Sequence, residues 1–399
     1  MTMSTAIETG RYHRSYTSEL RLWNTTAQRA RMIVLAVILI LIPLVFDNYW
    51  MALVNTALIA SIGAIGLNIL VGFTGQISLG QGGFLAVGAF TSAILTDRMG
   101  VPVVFSILGA VLLTAAVGMI FGLPALRLKG LYLAIATLAS QMVIVFVVRR
   151  WGWLTEGQGF VDVMRLEIFG FSLSRANFEQ QWYVILLVIT ILVAFTATNI
   201  FRTGVGRSFM AVRDQDIAAS AIGVNLTRAK ITAFGVSNGF VGLAGALMAH
   251  YTEIISWERF TLDVSIQYLA MIIVGGLGSI AGSIYGATFI TFLPVFTRMA
   301  ADELGGVAPM LRQQLPAFEH AIFGLIIIIF LIFEPKVQRY IYVLLFLRRF
   351  ASKESSFSSS IRSHIVHLTC ILSPHGYRDL IPCISYHTIN KSKFKIEYS

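Results

Sequence analysis

Charge is what this sequence has least of. Only 13% of its 399 residues are Asp, Glu, Lys or Arg, while 56% are hydrophobic; an ordinary soluble domain carries about 25% charged residues. Too little polar surface remains to face water, and a mean hydropathy of +0.76 points to the bilayer as the solvent. Cysteine is scarcer still. Cys370 and Cys383 lie together near the end of the sequence, and they have no spacing that signals a zinc site or a disulfide scaffold. No GxxxxGK[ST] phosphate loop, HExxH or GxSxG occurs, and the glycine string at 275–282 lies between two apolar runs with no strand before it, so it is no nucleotide fingerprint. His250 and His320 stand alone near the ends of apolar runs, where a hydrogen-bonded or interfacial histidine is the commoner reading. Neither a metal site nor a catalytic residue is expected. Net charge is +10, but the basic residues cluster at the ends of apolar runs and form no aromatic-laced stripe, which argues against nucleic acid.

Long apolar runs are what the sequence has instead. A membrane helix takes about 20 mostly apolar residues, and ten runs meet or approach that length: 32–46, 50–72, 77–96, 102–126, 131–149, 182–201, 231–251, 264–279, 281–298 and 319–334. The expected fold is therefore an all-α, polytopic transmembrane bundle of about ten spans. Threading the runs with the N-terminus inside puts sixteen Lys and Arg on the inner side and eight on the outer, up to residue 349. The positive-inside rule then places both termini and the 202–230 segment in the cytoplasm. Three regions follow: an N-terminal arm at 1–31, a membrane domain at 32–335 and a polar tail at 336–399. The tail is Ser-rich from about Ala351 and reads as disordered. The outer side receives two substantial loops, about 150–181 and 299–318. The first reads equally as an ordered cap or as a plain connector with interfacial tryptophans.

No Asp, Glu, Lys or Arg lies deep inside the runs, which tells against an ion-coupled carrier because such proteins place ionisable groups there. Neutral polar residues take their place, each costly in hydrocarbon unless it finds a partner or lines a wet path. Asn68, Gln76, Ser78, Gln81, Gln141 and Asn238 are the candidates for such a path. Gln76, Ser78 and Gln81 share the stretch GFTGQISLGQGGFLAVGAF, whose glycines would loosen a regular helix. Tight packing is the rival explanation. Gly235 and Gly239, and Gly278, Gly282 and Gly286, recur every four residues, the spacing that lets helices approach closely in lipid.

Between two of the runs lies GRSFMAVRDQDIAASAIGVNLTRAK, basic and only partly apolar. Asp214 is suited to be an N-cap, Asp216 to complement the first turn and Gly223 to end the helix. The helix would be about two turns long, marginal alone, with Ile217, Ala218, Ala221 and Ile222 on one face and Ala219 turned away. Either it docks into a groove on a soluble partner or it lies on the membrane or on its own chain.

GLNILVGFTGQISLGQGGFLAVGAF, LRLKGLYLAIATLA and GRSFMAVRDQDIAASAIGVNLTRAKITAFGVSNGFVGLAGAL, in that order, resemble the inner-membrane permease of branched-chain amino acid ABC transporters, the LivM type. The similarity runs from about residue 30 to Phe333–Glu334–Pro335. It implies a multi-pass subunit of the bacterial inner membrane with no ATPase of its own. Its partners would be a LivH-like permease, two ABC ATPase subunits that bind ATP and Mg, and a periplasmic substrate-binding protein. Arg213, Asp214, Asp216, Ala218, Ala219 and Gly223 fall on the cytoplasmic coupling motif, whose short helix inserts into the ATPase. The glutamate of the broader EAA pattern is missing here. The outer-loop sequence LTEGQGF differs from the family's TGG-rich form, and the tail beyond about Ala351 has no counterpart. Urea and short amides are alternative substrates within the same family, and an ion-coupled carrier remains the rival outside it. Deleting residues 351–399 is expected to leave complex assembly and uptake intact, as measured by copurification and by transport into vesicles.

Overall fold

Each long apolar run must satisfy its own backbone in hydrocarbon, where no water can, and the helix is the local way to do so. The computed structural model describes residues 39, 41–43, 46–151, 160–163, 167–168, 171–172, 177–304, 324–325 and 328, all within a unit spanning 22–332. The principal helices are α1 (Asn48–Asn68, continued by a π turn at Ile69–Phe73), α2 (Gln81–Asp97), α3 (Val103–Phe121), α4 (Leu131–Arg150) and α5 (Phe178–Arg202). After α5 come the short α6 (Gly204–Asp214) and α7 (Asp216–Ala221), then α8 (Leu226–Thr252), α9 (Leu262–Gly275) and α10 (Ile280–Leu304). Six helices among the described residues are long and apolar enough to cross a membrane: α1 with its π turn, α3, α4, α5, α8 and α10.

The predicted runs at 50–72, 102–126, 131–149, 182–201, 231–251 and 281–298 each coincide with one of these six over most of their length. The run at 77–96 starts late: residues 75–80 are not helical, and α2 begins only at Gln81. The run at 264–279 yields the 14-residue α9, about 21 Å long at 1.5 Å per residue and too short to span. The arm at 1–31 and the tail at 336–399 lie outside the described residues, as do most of the runs at 32–46 and 319–334. Leu39 and Pro43 are described, and their carbonyls accept hydrogen bonds from Tyr183 and Gln180 of α5 at 2.7 and 3.4 Å.

α1 and α8 form the centre. α8 packs against α1, α2 and α3, while α1 also packs against α5, α9 and α10. Small residues permit this. Ser237 Oγ on α8 donates to the Gly66 carbonyl of α1 at 2.7 Å, and Gly242 and Gly245 of α8 sit on the backbone of α2 at Gly88 and Leu85. Gly235 and Gly239, the expected seam, face α3 instead: Gly235 lies against the flexible Met119 side chain, and a Cβ on Gly239 would be 3.7 Å from Ala115 and Val111, ordinary contact. The close seam is one turn further on. Gly282 and Gly286 of α10 do lie against α9, at Gly275 and the Met271 carbonyl. Gly278 does not belong to that seam: it sits in the connection between the helices with φ +81°, so its role is to make the turn. The outer helices expose apolar side chains such as Phe105, Leu112, Phe146 and Phe195, surfaces that hydrocarbon accepts and water rejects.

The bundle has two chemically distinct ends. At one, the connections hold Arg127, Lys129, Arg202, Arg207, Arg213 and Arg228. At the other, β1 (Phe160–Asp162) pairs antiparallel with β4 (Ile254–Ser256), and β2 (Glu167–Ile168) pairs with β3 (Phe171–Ser172). The 150–181 segment therefore contains strand structure docked onto the exit of α8.

Gly245→Val would drive a side chain into the α2 backbone and is expected to cost about 1–3 kcal/mol or more. Gly239→Ala has room and should change stability by less than about 0.5 kcal/mol. Thermal unfolding of the two purified variants distinguishes them.

Candidate substrate path and docking helix

Two helices begin in the interior. Gln81, the first residue of α2, donates from Nε2 to the Gly63 carbonyl in α1 at 3.0 Å. The Gly82 amide donates to Ser265 Oγ of α9 at 2.8 Å, and Ser265 donates onward to Gln141 Oε1 of α4 at 2.7 Å. Gln141 lies ten residues into α4, about 15 Å from its start. The N-terminal ends of α2 and α9 thus meet at mid-depth, preceded by non-helical chain at 75–80 and by a strand and a single 3-10 turn at 253–261. Helices that begin near the bilayer midplane are a common way to build a solute site, because the freed backbone lines a path instead of facing lipid.

The predicted path residues divide once their partners are known. Asn68 is a clamp: its Nδ2 donates to the Ser279 carbonyl at 2.9 Å and to Ser283 Oγ at 2.7 Å, and its Oδ1 accepts from the Gly278 amide at 2.9 Å. Asn238 bonds its own helix at the Phe234 carbonyl, 2.9 Å away, and packs against Gly118 of α3. Ser78 accepts only a long bond from the Gly80 amide, at 3.4 Å, and Gln81 and Gln141 hold α2 to its neighbours as described. Gln76 differs from all of these. It is 5% exposed, and among the described residues neither its Nε2 nor its Oε1 has a hydrogen-bond partner. A buried amide left unpaired costs about 1–3 kcal/mol, so Gln76 is the residue of this group with binding capacity to spare.

Sequence reasoning missed a second polar cluster at the opposite end. Glu179, in the first turn of α5, accepts at Oε2 from Asn55 Nδ2 at 2.9 Å and from the Tyr251 hydroxyl at 2.8 Å. The signal was faint, since Glu179 lies just outside the run at 182–201. Among the described residues no group of three or more His, Cys, Asp or Glu could hold a metal ion.

At the basic end the 202–230 segment folds into α6 and α7. Asp214 is the last residue of α6, and the residue capping α7 is Gln215, in extended conformation at φ −163° and ψ 110°. The expected N-cap is thus displaced by one residue, because α6 continues further than the Ala-rich pattern indicated. Gly223 ends α7 with φ +92°. Its amide bonds the Ser220 carbonyl and the Val224 amide bonds the Ala219 carbonyl, both at 3.0 Å, the paired closure of a Schellman turn. Ile217 and Ile222 are 80% and 77% exposed, and Ala218 and Ala221 are exposed with them. Ala219 is buried against its own chain, so it seats the helix and leaves the apolar face open. Arg213 lies beside Gly75 and Gly278, which brings the end of α6 against both the interrupted stretch and the α9–α10 turn. Asp216 bonds Lys129 at 2.6 Å and Lys230 at 3.3 Å. Partial burial works to raise the Asp216 pKa, but the lysine hydrogen bonds and charges outweigh it and hold the carboxyl below its ordinary range.

A family model described as "Branched-chain amino acid transport system / permease component" matches residues 49–331. The chain belongs to this permease family. It is 32% identical over 277 residues to the high-affinity branched-chain amino acid transport system permease protein LivM of Salmonella typhimurium, covering 64% of this chain and 65% of the relative. The Escherichia coli LivM is 31% identical over the same length and shares. A probable branched-chain amino acid transport permease protein, LivH of Methanocaldococcus jannaschii, is 25% identical over 242 residues, 57% of this chain and 73% of the relative. The chain thus spans 65% of the length of the two LivM proteins it matches. No solved structure matches it. Family membership and the six span-length helices make this a multi-pass membrane protein.

Asn68→Ala removes three hydrogen bonds and leaves the Gly278 amide without its acceptor. A loss of about 1–3 kcal/mol is expected, read as a lowered unfolding midpoint of the purified permease.

Proposed function

We propose that this chain is the permease subunit of an ABC importer for branched-chain amino acids, worked by ATP hydrolysis in partner subunits. The observation that carries this reading is α7: a six-residue helix at the basic end of a family permease, with Ile217 and Ile222 presented to the outside. A short apolar face on a positively flanked connection suits insertion into a groove of a soluble ATPase. The basic end is then cytoplasmic, both termini lie on that side, the full bundle has about ten spans, and the membrane is the bacterial inner membrane. The remaining partners are a LivH-like permease and a periplasmic substrate-binding protein that docks near the strands of the opposite end. ATP and Mg reside in the ATPases, and the permease is itself no enzyme.

The solute would cross through the interrupted region between α1, α2, α4 and α9. Gln76 offers both an N–H donor group and a carbonyl acceptor there, which fits a zwitterion carrying both a carboxylate and an ammonium group. ATP-driven closure of the ATPases would move α7 and rock the helices around this region, opening it alternately to each side. Ile217→Asp/Ile222→Asp is expected to abolish ATPase copurification and to lower leucine uptake at least about tenfold, equivalent to about 1.4 kcal/mol or more of lost coupling, without affecting membrane insertion. Gln76→Leu should keep the ATPase bound while reducing leucine uptake. Uptake of urea but not leucine by the wild-type complex would move the assignment to the amide-transporting branch.

A further inference from the structure

An ATPase that grips α7 moves the solute path only if α7 is fastened to the spans. The backbone is a poor fastening. α7 is joined to α6 through one extended residue, Gln215, and to α8 through the left-handed Gly223 turn, both places where a short helix can pivot. We propose that Asp216 is the positioning residue that transmits the stroke, a single carboxylate clasping the docking helix to α4 through Lys129 and to α8 through Lys230. This rests on the docking role of α7.

Both contacts are made by the same oxygen, Oδ2, at 2.6 Å to Lys129 Nζ and 3.3 Å to Lys230 Nζ. Lys230 is 5% exposed, and among the described residues Asp216 is its only polar side-chain partner. A buried ammonium requires a counter-charge. Without the carboxylate the two lysines would repel each other across the place α7 occupies.

Each lysine leads to the interrupted region. Lys129 immediately precedes Gly130, the cap of α4. α4 holds the start of α2 through Thr137, whose Oγ1 accepts from the Leu79 amide at 2.9 Å, and through the Gln141–Ser265–Gly82 chain. Lys230 is in the second turn of α8, the helix whose Gly242 and Gly245 lie on the backbone of α2. A displacement of Asp216 therefore pulls on both walls that hold residues 75–82. Ile217 and Ile222 grip the partner, and Asp216 grips the bundle.

The test uses the complete importer in liposomes, with radiolabelled leucine as probe, reading ATP hydrolysed per leucine imported together with ATPase copurification. Asp216→Asn and Lys230→Met are each expected to keep the ATPase bound while raising ATP consumed per leucine at least tenfold. The double variant should be no worse than either single change, because both break one link. Asp216→Glu, which preserves the charge, should retain a ratio within about twofold of wild type. An unchanged ratio in Asp216→Asn overturns the proposal, and that variant alone decides if Lys230→Met fails to insert. Loss of the ATPase from the Asp216→Asn complex also overturns it, by making Asp216 part of the docking contact, and so does an Asp216→Glu ratio as high as that of Asp216→Asn. A wild-type complex that hydrolyses ATP but imports no leucine would instead sink the transport reading, a result distinguishable from all of these.

Discussion

Inside a bilayer, every backbone amide that leaves helical register must find a partner within the protein, since lipid offers none. This requirement organises the bundle. Chain 75–80 abandons the helix for six residues, and neighbouring elements answer for it: the Gln76 amide reaches back to the Leu70 carbonyl at 3.0 Å and the Leu79 amide to Thr137 at 2.9 Å. Gly82, in the unsatisfied first turn of α2, finds Ser265. The turn between α9 and α10 is answered in the same way by Asn68. Buried Asn, Gln, Ser and Thr are therefore the means by which an interrupted backbone is tolerated at membrane depth. Most of the polar side chains in this region make hydrogen bonds in that task.

One side chain in the interrupted stretch is the exception. On the transport reading proposed above, its unpaired groups are the ones left for a solute. Gln76 is the residue of the interrupted stretch whose side-chain amide is buried and, among the described residues, unpaired, and it lies next to Gly75, against which Arg213 of the 202–230 segment packs. The region suited to hold a solute and the segment suited to receive a push are thus in contact. Force need not travel far through a close-packed interior, which transmits strain with little compression.

How much of this was legible beforehand can be judged residue by residue. Six of the ten apolar runs coincide with span-length helices over most of their length because their hydrophobicity is continuous and a helix is the local solution. Gly223 was legible as a helix terminator because a positive φ favours glycine whatever surrounds it. Asp214 was misplaced because nothing local stops α6 one residue earlier. Gly235 and Gly239 had the right spacing but meet side chains of α3, with room left at Gly239, while Gly242 and Gly245, three apart, carry the close backbone contact. Spacing states which glycines share a face; only the neighbour decides whether that face is crowded.

The sequence by itself determined that the chain lives in lipid, where six of its long helices run, which permease family it belongs to, and that a short apolar helix follows the basic segment at 202–213. These are properties of hydrophobicity, local backbone preference and motif, all written along the chain. The tertiary structure alone decided that Asn68 is a clamp and Gln76 a side-chain amide unpaired among the described residues, and that Ala219 faces inward while Ile217 and Ile222 face out. It also decided that one aspartate holds two lysines from different helices. Hydrogen-bond satisfaction and ion pairing depend on groups far apart in the chain and adjacent in space, and no reading of one residue type at one position contains that information.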